Sequence, residues 1–223
     1  WAVRNEPSAE RVRSGRDQVA GVVVPAHDEQ ERLPACLAAL RDALVVVVAD
    51  ACTDRTAEVA RRHGAQVVEI AARNVGAARA AGVRALLRHG VSWVATTDAD
   101  TLVPADWLDS QLRYAARGWD AVVGTVEVTD WAGHPPRRVA AYAGHYARDP
   151  APVHGANLGF TAHAYVTSGG FPPVRTGEDR ALVAAMTAAG HRVLHTPQVE
   201  VITSARRRYR APHGFGHLLT TLG

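Results

Sequence analysis

Two aspartates stand one residue apart in Thr96-Thr97-Asp98-Ala99-Asp100, directly after the β-type run Trp93-Val94-Ala95-Thr96-Thr97. In an extended segment side chains alternate faces, so residues two apart point the same way. Asp98 and Asp100 are therefore expected to converge at the carboxyl end of a buried strand, the edge where open α/β sheets bind ligands. Two such carboxylates repel unless a positive charge joins them. A hard divalent cation carrying a diphosphate suits them, because magnesium takes one or two carboxylates plus phosphate oxygens. The plainer reading, in which the aspartates cap the helix starting near Pro104, explains the pair equally well. A second acidic pair, Glu178-Asp179, follows Gly177. Its plainer role is to favour a helix N-terminus.

The elements that must position these acids alternate in type. Val19 to Val24 form an apolar run ended by Pro25, as suits a central parallel strand. After the polar turn Ala26-His27-Asp28-Glu29, Leu33, Leu37 and Leu40 fall on one helical face, with Pro34 in its first turn. Ala43 to Ala49 repeat the strand pattern, and Asp50 ends it. Thr53 or Asp54 can cap the next helix, which stops at Gly64. Gln66 to Ile70 read as a third strand, and Asn74-Val75-Gly76 lead into an Ala/Arg/Leu helix. The strand before Asp98 comes next, then a helix from Pro104 to near Gly118, then a strand over Ala121 to Thr129. The alternation predicts a doubly wound α/β sheet.

Between Asp130 and Pro152 the pattern loosens, which reads as a crossover or lid. Asn157 to Thr161 regain strand character, a short helix ends at Gly169-Gly170, and another runs from Glu178 to Ala189. Val193 to His195 and Val199 to Ile202 read as two brief strands. The expected organisation is an arm over 1–17, one domain over 18–203, and a basic tail over 204–223 that could serve as a lid. Within the domain, 18–129 forms one half and 130–203 the other.

Composition narrows the chemistry. The 223 residues carry a formal charge of +3, too little for a general polyanion-binding surface, so no nucleic-acid partner is expected. All 25 basic residues are Arg, which excludes a P-loop lysine or a Schiff-base lysine. Cys36 and Cys52 lack metal-site spacing and fit a reduced, cytoplasmic protein. No apolar stretch reaches membrane-spanning length and no signal peptide is recognised. Peripheral contact with the inner membrane face stays open, as does the oligomeric state.

Four stretches together resemble a family 2 inverting glycosyltransferase of the GT-A fold. Val22-Val23-Val24-Pro25-Ala26-His27-Asp28-Glu29 resembles the family's strand-Pro-x-Tyr-Asn-Glu opening. Val48-Ala49-Asp50-Ala51-Cys52-Thr53-Asp54 resembles its Asp-Asp-x-Ser-Thr-Asp turn. Asp98-Ala99-Asp100 is similar to its D-x-D motif, and Gly177-Glu178-Asp179 to the Glu-Asp pair after the acceptor loop. Order and spacing agree from about Val19 to Ile202.

The resemblance implies a GT-A sheet, mostly parallel, with a Rossmann-like nucleotide-binding half and an acceptor half. It implies transfer of a sugar from a UDP- or GDP-sugar to a small-molecule or lipid-linked hydroxyl, aided by Mg²⁺ or Mn²⁺. Asp100 then holds the metal, with Asp98 near the ribose or the metal's water shell. Asp50 meets the base, Pro25, Ala26 and Glu29 line the base and ribose pocket, and Arg79 lies on the donor. For Arg79 a solvated helix face, shared with Arg84 and Arg88, is the competing reading. Asp179 is the general base and Glu178 contacts the acceptor or orients the site, with Gly155, Ala156 and Asn157 on the acceptor side.

The departures cluster around the base. His27-Asp28 replaces Tyr-Asn, Ala49 replaces the first aspartate of the second motif, and Cys52 replaces Ser. The nucleotide base is therefore left open. The Gln-x-x-Arg-Trp signature of processive synthases is missing, which favours single additions. Two other readings remain: nucleotidyl transfer, whose Gly-rich loop is absent after the first strand, and a binding module without catalysis. His213 is a candidate to complete the metal site, against a structural role for lone histidines. Arg206 to Arg210 could fold over a diphosphate, touch anionic lipid, or stay solvated. Trp107 is expected on the inner face of its helix, and Trp131 to pack rather than stack on a sugar.

Overall fold

The computed structural model describes residues 19–131, 135–146 and 151–204. Its first half is a parallel sheet of β1 (Ala20–Ala26), β2 (Leu44–Asp50), β3 (Gln66–Ile70) and β4 (Trp93–Thr96), in the order β3-β2-β1-β4. Three helices make the crossovers: α1 (Leu33–Ala39), α2 (Thr56–Arg62) and α3 (Val75–Arg88). Beyond them lie β5 (Thr101–Leu102), α4 (Trp107–Ala115), β6 (Ala121–Asp130), α5 (Pro136–Tyr146), β7 (Leu158–Thr161), α6 (Ala162–Thr167), α7 (Glu178–Ala188) and β8 (Val193–Ser204).

The second half of the sheet is mixed. β7 runs antiparallel between β4 and β6, β8 runs parallel to β6, and β5 closes the edge antiparallel to β8. All eight strands form one sheet, β3-β2-β1-β4-β7-β6-β8-β5.

Strand alternation sends successive residues to opposite faces. Val22, Val24, Val45, Val47, Trp93 and Ala95 join Leu33, Leu37, Ala60 and Trp107 under α1, α2 and α4. Val23, Val46, Val48 and Val94 join Ala78, Leu86, Ala164, Leu182 and Met186 under α3, α6 and α7. Both faces are covered, which is why these strands read as unbroken apolar runs. Trp107 is buried on the inner side of its helix, as expected.

Pro25 lies within β1 rather than ending it. The Val23 carbonyl accepts from Thr97 N at 3.2 Å, so residues 23 and 25 direct their backbone groups toward β4. Because β4 ends at Thr96, the N–H that proline lacks has no ladder to serve. The two brief strands expected at the end are one strand, β8. Its register with β6 jumps from Val123↔His195 to Thr125↔Glu200, so Thr196 to Val199 bulge between two paired stretches. The loosened segment contains α5, where Trp131 packs against Tyr142 with ring centroids 5.3 Å apart. Among the described residues, no helix is long and apolar enough to cross a membrane.

Buried polar side chains stitch the second half together. Asn157 is fully buried and its Oδ1 accepts the Trp107 indole N–H at 2.9 Å. Its Nδ2 donates to the carbonyls of Thr125 and Val199. One carboxamide thus joins the start of β7 to α4, β6 and the β8 bulge. Asn157→Ala orphans a buried indole donor and two carbonyls. Urea unfolding is expected to show a loss of about 1–3 kcal/mol, the cost of leaving a buried polar group unpaired.

Candidate active site

The carboxyl ends of β1, β2 and β4 meet at one rim, and each delivers an aspartate. A carboxylate in such a place needs donors, and the rim supplies backbone N–H groups. Asp50 is buried; its Oδ1 accepts from Ala72 N and Arg73 N at 2.7 and 2.8 Å, and its Oδ2 from Asn74 N at 2.7 Å. Its carboxylate therefore anchors the turn that starts α3, and Asn74 in turn caps α3 by accepting from Ala77 N. Asp28 accepts from Thr53 N at 2.6 Å and Asp54 N at 3.2 Å, and the Thr53 hydroxyl adds a further donor. The Thr53 amide above all holds its pKa below the usual carboxylate value.

Three non-glycine residues among those described have positive φ: Asp28 at 53°, Ala51 at 52° and Arg73 at 47°. All three lie in the loops after β1, β2 and β3. Such backbone persists where surrounding bonds over-determine it, and it gathers at functional rims. Here the Asp28 and Asp50 carboxylates and the Ala51 N–H, which donates to Ile70 O at 2.7 Å, do the holding. His27 Nδ1 lies 2.6 Å from the Asp50 carbonyl, which can only accept, so that nitrogen carries the proton.

Asp98 and Asp100 sit in a turn rather than in the extended segment expected. β4 stops at Thr96, and Asp98-Ala99-Asp100 forms a turn in which Thr101 N donates to the Asp98 carbonyl at 3.1 Å. The helix that follows begins at Trp107 with Asp106 at its cap. Both carboxylates act on the buried Cys36 thiol, which donates to the Asp98 carbonyl at 3.4 Å. Burial first, then the charges of Asp98 and Asp100, push the Cys36 pKa up to about 12.

Arg79 is buried, with 4% of its surface exposed, which removes it from the solvated face that Arg84 and Arg88 occupy. One guanidinium nitrogen donates to Asp98 Oδ1 at 2.6 Å and another to Glu178 Oε1. Glu178 is itself buried. Asp179, partly exposed beside it, accepts from Gly155 N at 2.7 Å through Oδ2 and from Arg180 N at 2.7 Å through Oδ1. The Gly155 carbonyl accepts from the buried Thr96 hydroxyl at 2.6 Å. The Glu178-Asp179 pair fills the first turn of α7, behind Gly177 at φ 78°, as the plainer reading of a helix N-terminus expects.

The structure thus brings Asp98, Arg79, Gly155, Glu178 and Asp179 into one bonded cluster. Pro25, Ala26 and Glu29 lie at the end of β1, where Glu29 is buried and its N–H donates to Thr56 Oγ1 at 2.8 Å. The Asn157 side chain points into the core, and Ala156 is buried. Thr96 was missed by pattern reading: a threonine in a strand carries no signal that its hydroxyl holds a distant turn. His213, Arg206 to Arg210 and the 1–17 arm lie outside the described residues.

Two acids plus phosphate oxygens make a donor set of the kind magnesium or manganese takes. Arg79 bonds Oδ1 of Asp98, whose side chain is 39% exposed. Among the described residues, one group of three, His27, Asp28 and Cys52, brings a ligand atom each within 4.8 Å of the others. There Asp28 is held by Thr53 and Asp54, and burial pushes the Cys52 thiol up, so this corner is a hydrogen-bonded one.

Folded Cys36 stays protonated well past neutrality. Its stabilising contribution is full below the unfolded value of 9.0 and is lost as pH rises from there through about 12. At pH 8, a thiol reagent is expected to label half-buried Cys52 slowly and to spare Cys36 until urea unfolds the chain. Equal rapid labelling of both thiols in native protein contradicts this placement.

Comparison with known proteins sets this chain beside glycosyltransferases. The family model described as "Glycosyl transferase family 2" matches residues 21–169. An uncharacterized glycosyltransferase of Mycobacterium tuberculosis is 41% identical over 104 residues, 46% of this chain and 46% of that protein. The same figures hold for one from Mycobacterium bovis, so the chain spans less than half the length of these curated relatives. Among solved structures, a mannosyltransferase from Pyrobaculum calidifontis in complex with GDP-Man and Mn²⁺ aligns with a TM-score of 0.64 and 24% identity. That alignment covers 87% of this chain and 59% of the other. Glucosyl-3-phosphoglycerate synthase from M. tuberculosis, solved with Mn²⁺, UDP and phosphoglyceric acid, gives 0.63 at 18% identity, covering 86% and 72%. The shared fold is the GT-A fold.

Proposed function

The chain belongs to glycosyl transferase family 2, and from that premise we propose that it moves a sugar from a nucleotide-diphospho-sugar to an acceptor hydroxyl with inversion, using Asp179 as general base. The observation that carries this reading is the bonded path from Thr96 through Gly155 to Asp179. It sets a partly exposed carboxylate beside the strand end that delivers Asp98 and Asp100. A base must lie within hydrogen-bond reach of the proton it removes, so a carboxylate on this side of the cleft suits an acceptor alcohol. Asp179 takes that proton while the acceptor oxygen attacks the anomeric carbon and the nucleoside diphosphate departs. The Gly155 and Arg180 amides hold the carboxylate in one orientation.

Asp100, with Asp98 beside it, would hold Mg²⁺ or Mn²⁺. When bound, that ion supplies positive charge against the developing charge on the leaving diphosphate. Pro25, Ala26 and Glu29 line the nucleoside side, and Asp50 shapes it by fixing the Ala72–Asn74 turn. A UDP- or GDP-sugar donor is supported by the ligands of the two structural neighbours, GDP-Man and UDP. The division into a donor half, 18–129, and an acceptor half, 130–203, follows the same reading. The acceptor in this reading is a small-molecule or lipid-linked hydroxyl.

Two variants separate the roles. Asp100→Ala is expected to abolish the Mn²⁺-dependent thermal shift given by GDP or UDP, since a ligand raises the melting temperature only by binding the folded form. Asp179→Asn is expected to keep that shift while kcat falls by about 10²–10⁴, the usual span of general base catalysis. Turnover at the wild-type level in Asp179→Asn removes that residue from the proposed role.

A further inference from the structure

The resemblance sets Arg79 on the donor, yet its bonds run to Asp98 and Glu178. We propose that Arg79 is a positioning residue that fixes the donor-side carboxylate Asp98 and the acceptor-side turn Gly155–Asp179 relative to each other, rather than a ligand of the donor phosphates. This inference rests on the reading of Asp179 as the base, and it adds the part that aligns that base with the donor.

Two guanidinium nitrogens are committed, one to Asp98 and one to Glu178. The Glu178 side chain is 3% exposed. A buried carboxylate stripped of its partner is strongly unfavourable, so a diphosphate cannot draw Arg79 away from Glu178 cheaply. The guanidinium also lies directly under Gly155: a Cβ there would stand 2.3 Å from Arg79 Cζ. The residue that rests on Arg79 is therefore the one whose N–H orients Asp179 and whose carbonyl is tied to Thr96.

Arg79 projects from α3, a 14-residue helix packed on β1 and β2. The start of that helix is pinned to the segment leading into α7, because Gly76 N donates to Val174 O at 3.1 Å and Asn74 Nδ2 to Pro173 O at 2.8 Å. The two pieces that carry the reaction's acids, and the Gly155 turn that orients one of them, are thus measured against one planar group. A lysine could not replace it, since a single ammonium lacks the fork that reaches two carboxylates on different elements.

The test uses the double variant R79M/E178Q, which removes the buried charges together and leaves Asp98, Asp100 and Asp179 in place. Calorimetry with GDP and UDP in the presence of Mn²⁺ reports the donor side. Turnover of GDP-mannose and UDP-glucose, resolved into kcat and KM, reports alignment. Amide exchange at Gly155, compared with the amides of β1, reports the turn without any substrate. We expect nucleotide affinity and KM to stay close to wild type and Gly155 exchange to accelerate. We expect kcat to fall about 100-fold, as a misplacement of the order of 1 Å can cause.

Loss of nucleotide affinity with kcat preserved overturns the proposal and makes Arg79 a donor ligand. Unchanged kcat together with unchanged Gly155 exchange overturns it as well. Should the double variant not fold, Gly155→Ala puts a methyl group against the guanidinium with every charge kept, and the same three measurements decide. Wild-type turnover in Asp179→Asn sinks the base assignment instead, so the two failures are distinguishable.

Discussion

A carboxylate brought to the rim of a buried sheet must find donors, and this constraint organises the molecule. Asp28 is met by the Thr53 and Asp54 amides, Asp50 by three consecutive amides, Asp98 by Arg79, and Asp179 by the Gly155 and Arg180 amides. Each pairing fixes a loop as well as a charge. The loops after β1, β2 and β3 accept positive φ at Asp28, Ala51 and Arg73 because these bonds leave them little alternative. The rim is held in shape by these internal bonds alone, and such preorganisation lowers the cost of binding.

The division of labour between the two halves follows from the sheet. In the parallel half every strand ends at the same rim, so short loops deliver acids to one place. In the mixed half, β7 runs the other way and places its start, not its end, at that rim. This is why the Gly155–Asn157 turn, which precedes β7, can face Asp98, which follows β4. Asn157 secures the turn from inside the core while Gly155 meets Arg79 and Asp179 on the cleft side.

Much of this was legible in the residues. Valine runs marked β1 and β2, Asn74 marked the start of α3, and the acids at strand ends marked the rim. What stayed hidden was set by long-range contact. The turn at Asp98-Ala99-Asp100 depends on β4 stopping at Thr96, and a β-type run continuing into Thr97 gives no sign of that stop. Arg79 could not be told from Arg84 or Arg88 by pattern, since its partner Glu178 lies ninety-nine positions on in the chain and Gly155 packs over it. The bulge in β8 hid a single strand as two. Thr96 and Asn157 act through hydroxyl and carboxamide bonds that no periodicity records.

The joint between α3 and the segment before α7 has a consequence for how such a site can diversify. Pro172 and Val174 press on Gly76, where a Cβ would lie 2.1 Å from the Pro172 carbonyl. That half of the segment cannot lengthen without lifting the helix that carries Arg79. Arg175 lies exposed beyond this joint. Any insertion before Val174 therefore displaces Arg79 as well, so this loop and the helix change shape together.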